Sequence, residues 1–370
     1  MILFIRDNEC FEPRVKHYLQ YFDEHEIDYH VIAWNRNGSA QPNEKYTFYE
    51  KSAEYGKRIA NIPKKLGWMR FVSKQIRVFK KDCTLIHACD IDAIIPALLT
   101  GKRYKKKVVW DIFDWISSLT GKGLVYKMVE NLQNWAYKRS DAVILCEEER
   151  KAQAKANNEN VLVLPNIPAK NTDFDAGTEA KIKEQREKYS LIISYVGVFD
   201  RDRGLENLLN AVAKNNSVLL NIAGFGVLQD FISDYANKYR NICLWGRVEY
   251  SVGQTIMKNS DLLAAMYYLT SPLHKYAAPN KYYESLALEV PVITTRNTLV
   301  GAKVAEYDTG FVIDETENAI SELLCRDDLK DQIEIIRTNC RTAWENVYSD
   351  YFDLFMHESY LSLITKTEKN

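Results

Sequence analysis

The chain has 370 residues, 46% apolar and 27% charged, with a formal net charge of −1. That length predicts two domains, and the near-zero charge excludes a generally basic nucleic-acid binder, so any affinity for nucleic acid or membrane must come from a local patch. Seven scattered cysteines, odd in number and without a C-x-x-C pair, exclude a disulfide framework or a cysteine zinc site and predict a reducing, cytoplasmic setting.

The chain opens on MILFIRDNEC, a strand followed by charge, with no apolar core of a signal peptide. No run of about 18 apolar residues predicts a membrane span. Strands are predicted at 2–5, 28–34, 84–88, 107–112, 141–146 and 161–165, and helices at 13–25, about 65–81, 91–100, 124–139 and 147–156. This alternation predicts βαβ units on a parallel sheet. The stretch 166–188 is polar and reads as a linker with a helical piece late in it. A second set follows, with strands at 191–197, 217–224, 241–246, 262–267, 291–295 and 310–314, and helices at 205–214, 227–238, 252–259, 281–288, 316–325 and 327–345. The aromatic-rich tail at 344–364 has a helical period. The organisation expected is an N-terminal domain over 1–170, a C-terminal domain over 171–345, and a last helix at 346–366 packing back on the first. No repeat of 20 to 50 residues is present. Ligands of such sheets bind outside the carboxyl ends of the strands, and the cleft between two facing domains is the expected site.

Five constellations carry candidate chemistry. In 195-YVGVFDRDRG-204 a strand ends at Gly197 and a polar loop with Arg201 and Arg203 leads to a helix start, a geometry that attracts anions. An ordinary solvated loop fits the same residues. The G-x-G of 223-AGFG-226 fits a tight turn as well as a phosphate approach. Gly246, after a strand in 244-LWGRVEY-250, can bring backbone close to a nucleobase, and a plain turn fits too. In 279-PNKYYES-285, Lys281 and Glu284 share a helix face beside a Pro-led helix start. Phosphate at Lys281 with hydroxyls at Glu284 is one reading; a surface Lys–Glu pair is the other. In the first half, His87, Asp90, Asp111 and Asp114 sit at strand ends and can polarise or bind a sugar hydroxyl. For His87 a core position is the competing reading. There is no D-x-D with further acidic neighbours, so no divalent-metal site is expected.

Order and spacing together make a resemblance. YVG-x5-RG, IAGFG, WGRV, SDLLAAMY, PNKYYESLALEVPVITT and TGFVID resemble the donor domain of the retaining, family-four type (glycosyltransferase group 1) enzymes of the GT-B fold. The resemblance covers most of 190–345. It is weaker over 1–165, where FEPRV, IHACD, VVWDIFD and LPN are similar to an acceptor domain. P-N-K before the Glu helix is similar to bacterial enzymes of surface-polysaccharide synthesis. The fold implied is α/β, two facing Rossmann-like doubly wound domains with a cleft between them. Carried over by position, Arg203 and Lys281 contact the donor diphosphate and Glu284 the nucleotide ribose. Gly246, Arg247 and Val248 face the base by backbone, and Asn280 fixes the loop over the phosphates beside Gly197. Asp114 lies near the acceptor hydroxyl. Two departures stand out. The usual Glu-x7-Glu pair has Tyr276 at its first position, and Val198 stands where a basic residue often follows the strand glycine, with Arg201 as the nearest substitute.

The resemblance implies sugar transfer with retention from a nucleoside-diphosphate sugar to a glycan or polyprenyl-diphosphate-linked acceptor, with no metal or other cofactor. The segment 55–81 holds nine Lys/Arg and no Asp or Glu. With its interleaved apolar residues, and 102-KRYKKK-107, it suits an anionic membrane surface at the inner face of the cell membrane. A core-facing helix with a solvated basic side fits as well. Two other readings share the fold: a sugar-nucleotide epimerase, which would want more acidic and His residues than six histidines offer, and a non-catalytic partner subunit. Nucleic-acid binding by the basic stretch is disfavoured by the acidic remainder of the chain.

Overall fold

Runs such as ILFI and VVW are apolar without alternation. That is the pattern of parallel strands covered on both faces, and it builds two separate sheets. The computed structural model describes residues 1–10, 12–38, 40–53, 61–116, 123–169 and 173–365. The chain divides into one unit of Met1–Pro165 with Tyr351–Asn370 and a second of Asn166–Asp350.

The first unit has a seven-stranded sheet: β1 (Ile2–Arg6), β2 (Tyr29–Asn35), β3 (Tyr46–Glu50), β4 (Leu85–Cys89), β5 (Lys107–Ile112), β6 (Ala142–Leu145) and β7 (Val161–Val163). The order is β3-β2-β1-β4-β5-β6-β7 and every pairing is parallel. Three crossover helices, α2 (Ile62–Val78), α3 (Ile91–Pro96, continued by tighter and wider turns to Tyr104) and α4 (Leu124–Arg139), cover one face. There Trp34, Trp68 and Trp110 are fully buried. The other face is covered by α1 (Pro13–Glu24) and the helical segment from Tyr351 onward, whose Phe352, Phe355 and Tyr360 join Phe4, Tyr18 and Phe22.

The second unit has six strands: β8 (Leu191–Phe199), β9 (Val218–Gly226), β10 (Ile242–Gly246), β11 (Leu262–Ala265), β12 (Val292–Thr295) and β13 (Gly310–Ile313). Their order is β10-β9-β8-β11-β12-β13, again all parallel. Its helices are α5 (Ala176–Arg186), α6 (Leu205–Ala213), α7 (Gln229–Lys238), α8 (Tyr250–Lys258), α9 (Asn280–Leu288), α10 (Leu299–Tyr307), α11 (Glu317–Leu324) and α12 (Leu329–Ala343).

The elements differ from the sequence expectation in several places, one being that the helix expected at 147–156 is a 3-10 turn at Glu148–Gln153. The helical piece expected late in 166–188 is α5, capped by the Asp175 carboxylate, which accepts from the Thr178 N–H at 2.7 Å, but the stretch is not a linker. Its Ile182 is buried, so this stretch belongs to the second core. Helix α10 was hidden by its length of nine residues and by Gly301 in its first turn; the Thr298 hydroxyl caps it at 3.0 Å. Strand β3 is a half-buried edge strand with too little apolar alternation to read. Pro279, read as marking a helix start, is the N-cap of α9. Among the described residues, no helix is long and apolar enough to cross a membrane.

Each strand order reverses once, between β1 and β4 and between β8 and β11. Loops leaving neighbouring strands diverge there, and ligands of open α/β sheets bind in the resulting crevice.

Candidate functional site

The crevice of the second unit is bounded by the loops after β8 and β11 and by the start of α9. Strands β8 and β9 run nine residues each and stay paired to Phe199 and Gly226. They approach so closely that a Cβ on Gly224 would lie 1.8 Å from the Gly197 carbonyl oxygen, which only glycine allows. Past Phe199, the Asp200 carboxylate accepts from the Arg201 N–H at 2.7 Å and starts one 3-10 turn, Arg201–Arg203. Gly204 then takes φ +68° and opens α6. The two loops are tied together. The Tyr268 N–H donates to the Asp202 carbonyl at 2.9 Å, and the Thr270 hydroxyl to the Asp202 carboxylate at 2.6 Å.

This scaffold brings Arg203, Lys281, Glu284 and Gly197 together. The Arg203 guanidinium lies 4.5 Å from the Tyr267 ring centre. The Lys281 ammonium lies 5.0 Å from the Tyr195 ring centre and across Gly197, where an added Cβ would meet it at 2.5 Å. Among the described residues neither cation has a carboxylate in ion-pair reach. Burial and the neighbouring Arg203 charge depress the Lys281 pKa to about 8, against the opposing pull of Glu284. Burial likewise pushes Tyr267 up to about 12, with Arg203 holding it back. Glu284 is 7% exposed. Gln254 donates to its Oε1 at 2.9 Å and the Tyr250 hydroxyl at 3.3 Å, so Oε2 is left for a ligand hydroxyl. Burial raises its pKa while Lys281 and the two donors resist. Asn280 is the first residue of α9, and the turn before it is anchored where the Asn166 amide donates to the Ala278 carbonyl at 2.6 Å.

Gly246 ends β10 at φ +68° with open space where a Cβ would go. The glycine there serves the backbone conformation, and it leaves room beside it. Val248 packs on the core, so its backbone is what the surface offers. The exposed Arg247 stacks on Phe225 at 4.9 Å. Arg201 does not join the cation pair: its guanidinium pairs with Glu206 at 3.1 Å on the surface. Tyr276 closes the turn Pro272–Tyr276, and the Lys275 ammonium lies 5.4 Å from its ring centre. From the same turn His274 does reach the cluster, edge-on to Tyr267 at 5.4 Å, with its Nδ1 2.8 Å from the Tyr268 carbonyl. Burial and the Arg203 charge lower its pKa, which keeps the ring neutral. Tyr195, Tyr267, His274, Tyr250 and Gln254 were not singled out from sequence, because isolated aromatic and amide residues carry no spacing signal.

Two expectations about the first unit need correction or narrowing. His87 is fully buried, stacked on Phe4 at 4.3 Å, with its Nδ1 2.8 Å from the Tyr360 hydroxyl. No face of the ring is open to a sugar, and it is a core residue. Asp111 is equally buried and is held by Arg14 on both oxygens, at 2.7 and 3.2 Å. His87, Cys89 and Asp111 are the one grouping among the described residues with metal-ligand geometry. The Arg14 guanidinium already occupies the carboxylate there, so the set does not suit a cation. Asp114 is exposed at the carboxyl edge of the first sheet, its N–H donating to Asp90 at 3.4 Å.

Residues 177–339 match the family model of the glycosyl transferases group 1. The second unit therefore carries a glycosyl transferases group 1 domain. No curated protein matches the sequence. Among solved structures the chain is similar to sucrose-phosphate synthase (tll1590) from Thermosynechococcus elongatus, with a TM-score of 0.72 and 14% identity over 99% of both chains. It is similar to Anabaena Alr3699/HepE in complex with UDP and glucose, with a TM-score of 0.70 and 12% identity over 99% of both chains. It is also similar to WaaG, a glycosyltransferase involved in lipopolysaccharide biosynthesis, with a TM-score of 0.63 and 13% identity over the whole of both chains. Likeness at this identity shows the fold, which is GT-B. The domain match and the fold together support a glycosyltransferase.

Proposed function

We propose that the protein transfers a sugar, with retention, from a nucleoside-diphosphate sugar to a glycan or lipid-linked acceptor of bacterial surface-polysaccharide synthesis. The observation that carries the donor half is the Arg203–Lys281 pair: two cations in a strand-end crevice, against tyrosine rings and, among the described residues, with no carboxylate in ion-pair reach. Two neighbouring cations without an ion-pair partner among the described residues suit a diphosphate, and Glu284 Oε2, one helical turn from Lys281, suits a ribose hydroxyl. The UDP held by HepE is in keeping with such a donor.

In this reading the bond from the sugar C1 to the diphosphate oxygen breaks and its electron pair leaves with the diphosphate. Arg203 and Lys281 stabilise that developing charge, the role a divalent metal has elsewhere, so no metal is required. The acceptor oxygen bonds to C1 on the same face and its proton passes to a phosphate oxygen. Asp114 of the first unit would orient the acceptor hydroxyl.

The test is a calorimetric screen of UDP, GDP and ADP with and without magnesium, followed by product analysis with the matching sugar nucleotide. One nucleoside diphosphate should bind without metal and lose its affinity in Lys281→Ala and Arg203→Ala. Full activity in both variants would refute the diphosphate assignment. Binding with no transferred sugar under any acceptor would favour the partner-subunit reading, and a sugar nucleotide inverted at one carbon the epimerase reading.

A further inference from the structure

The first unit shows its large apolar side chains to solvent in one layer. Among the described residues of this unit nine large apolar side chains are exposed; eight lie on α2, α3 with its continuation, and α4, and Leu354 lies elsewhere. On α4 the exposed set is Leu124, Val125, Met128 and Leu132, from 75% down to 40% exposed. This is a helical stripe turned away from the core, while Ala136 and Tyr137 of the same helix pack inward. On α2, Ile62 and Leu66 are exposed, and the stripe continues at four-residue steps as Arg70 and Lys74. A helix of a water-soluble layer normally turns such residues inward, and contiguous apolar surface of this kind marks an interaction site.

Charge says what covers it. The segments 61–81, 91–104 and 124–139 that make the layer contain twelve Lys/Arg and two acidic residues, in a chain of net charge −1. Both acids are engaged: Asp92 with Lys65, and Glu130 with Lys155 and Tyr126. Residues 55–60 of the basic stretch lie outside the described residues. In a parallel sheet the chain leaves the carboxyl end of one strand and returns to the amino end of the next. The first turns of α2 and α4 therefore lie at the same edge, and so do Ile62, Leu66, Leu124, Val125 and Met128. The basic residues Arg77, Lys138 and Arg139 lie toward the opposite end. Trp135, half-buried, lies beneath the Arg139 guanidinium at 5.6 Å.

We infer that this three-helix layer docks on an anionic phospholipid bilayer. The aliphatic ends of α2 and α4 enter the acyl boundary and the basic residues engage lipid phosphates. A nucleic acid would match the charge but gives no reason for eight exposed aliphatic side chains. A second copy of the chain would match the apolar stripe, but it would set twelve basic residues against twelve. The inference is independent of the donor site, since nucleotide binding and vesicle binding are read separately.

The test is co-sedimentation of the full chain with vesicles of phosphatidylcholine containing about 30% phosphatidylglycerol, against phosphatidylcholine alone. Binding is expected to the anionic vesicles, weakening at least about tenfold with raised salt. Met128→Asp with Leu132→Asp should weaken it at least about tenfold, and so should Arg70→Glu with Lys74→Glu. Thermal unfolding midpoints and nucleotide affinity should stay at the wild-type value in both. Both positions are exposed, so the fold should survive; if the double Asp variant fails to fold, Met128→Ser with Leu132→Ser replaces it. Absence of vesicle binding, equal binding to neutral vesicles, or unchanged binding by folded variants would overturn the inference. So would tighter binding to duplex nucleic acid that ignores Met128 and Leu132, or a dimer in solution that these substitutions dissociate.

Discussion

Lys281 should make nucleotide affinity fall as pH rises through about 8. Its ammonium is depressed to about 8 by burial and by Arg203, and a bound diphosphate would return it toward its ordinary value near 10.4. Binding then takes up a proton wherever the free site has lost it. At pH 7 about nine-tenths of free sites are charged, and at pH 9 about one-tenth. The dissociation constant should therefore rise roughly tenfold between those values, about 1.4 kcal/mol. The terminal phosphate itself titrates near ~6, so above pH 7.5 the slope belongs to the protein. Calorimetry in buffers of different ionisation enthalpy should find uptake of about half a proton per site at pH 8. The folded, ligand-free protein should show the opposite sign. Between about 8 and 10.4 its unfolded state holds more protons at Lys281, so this group's contribution to stability rises with pH. Lys281→Arg keeps the charge and cannot titrate here, so its affinity should be flat from pH 7.5 to 9.5. A flat wild-type profile, or a slope that survives in Lys281→Arg, would refute the reasoning.

Glu284→Gln should weaken nucleoside diphosphate binding about ten- to a hundredfold while leaving inorganic pyrophosphate unchanged, because a charge-assisted hydrogen bond is worth about 1.5–3 kcal/mol; parallel titrations of the two ligands check it. Gly197→Ala should displace the Lys281 ammonium, which an added Cβ would meet at 2.5 Å, and weaken pyrophosphate binding; an unchanged titration would show that Lys281 does not lie across the glycine. Arg14→Leu should cost about 3–5 kcal/mol in urea unfolding, since it removes the guanidinium from the buried Asp111 carboxylate and leaves it the His87 ring at 3.5 Å, and nucleotide binding by the second unit should persist.

The sheets were legible because parallel strands covered on both faces write unbroken apolar runs, as in β1 and β5. Strand β3 was not, because an edge strand needs little burial, and α5 was legible only as a helical piece late in a linker, because Ile182 is the one buried apolar residue of a polar helix. In the candidate site, Arg203, Lys281 and Glu284 were marked by local spacing that fitted ordinary loops as well, and by the family resemblance. The rings that hold the cations, Tyr195 and Tyr267, were not, because a tyrosine at a strand end looks the same whether it faces core or crevice. His87 had the right strand-end position for a sugar contact. Only the fold shows that Tyr360, 273 residues later, is at its Nδ1 and closes it off.

The two crevices handle charge in opposite ways. At the carboxyl edge of the first sheet Arg6 is paired with Asp90 and Glu12, and Arg14 with Asp111. Each of these cations has a carboxylate partner, and an incoming anion would have to break a pair. In the second unit Arg203 and Lys281 face tyrosine rings, which attract a cation without neutralising it, while the nearby Glu284 accepts from Gln254 and Tyr250. Two like charges left uncompensated and partly desolvated lower the stability of the ligand-free unit, and the depressed Lys281 pKa is the local record of that cost. An anion spanning the pair relieves both the repulsion and the missing solvation. Stabilisation by a diphosphate should therefore exceed that by a monophosphate by more than one added contact. Equal shifts in thermal unfolding with the two would mean that the cations act singly.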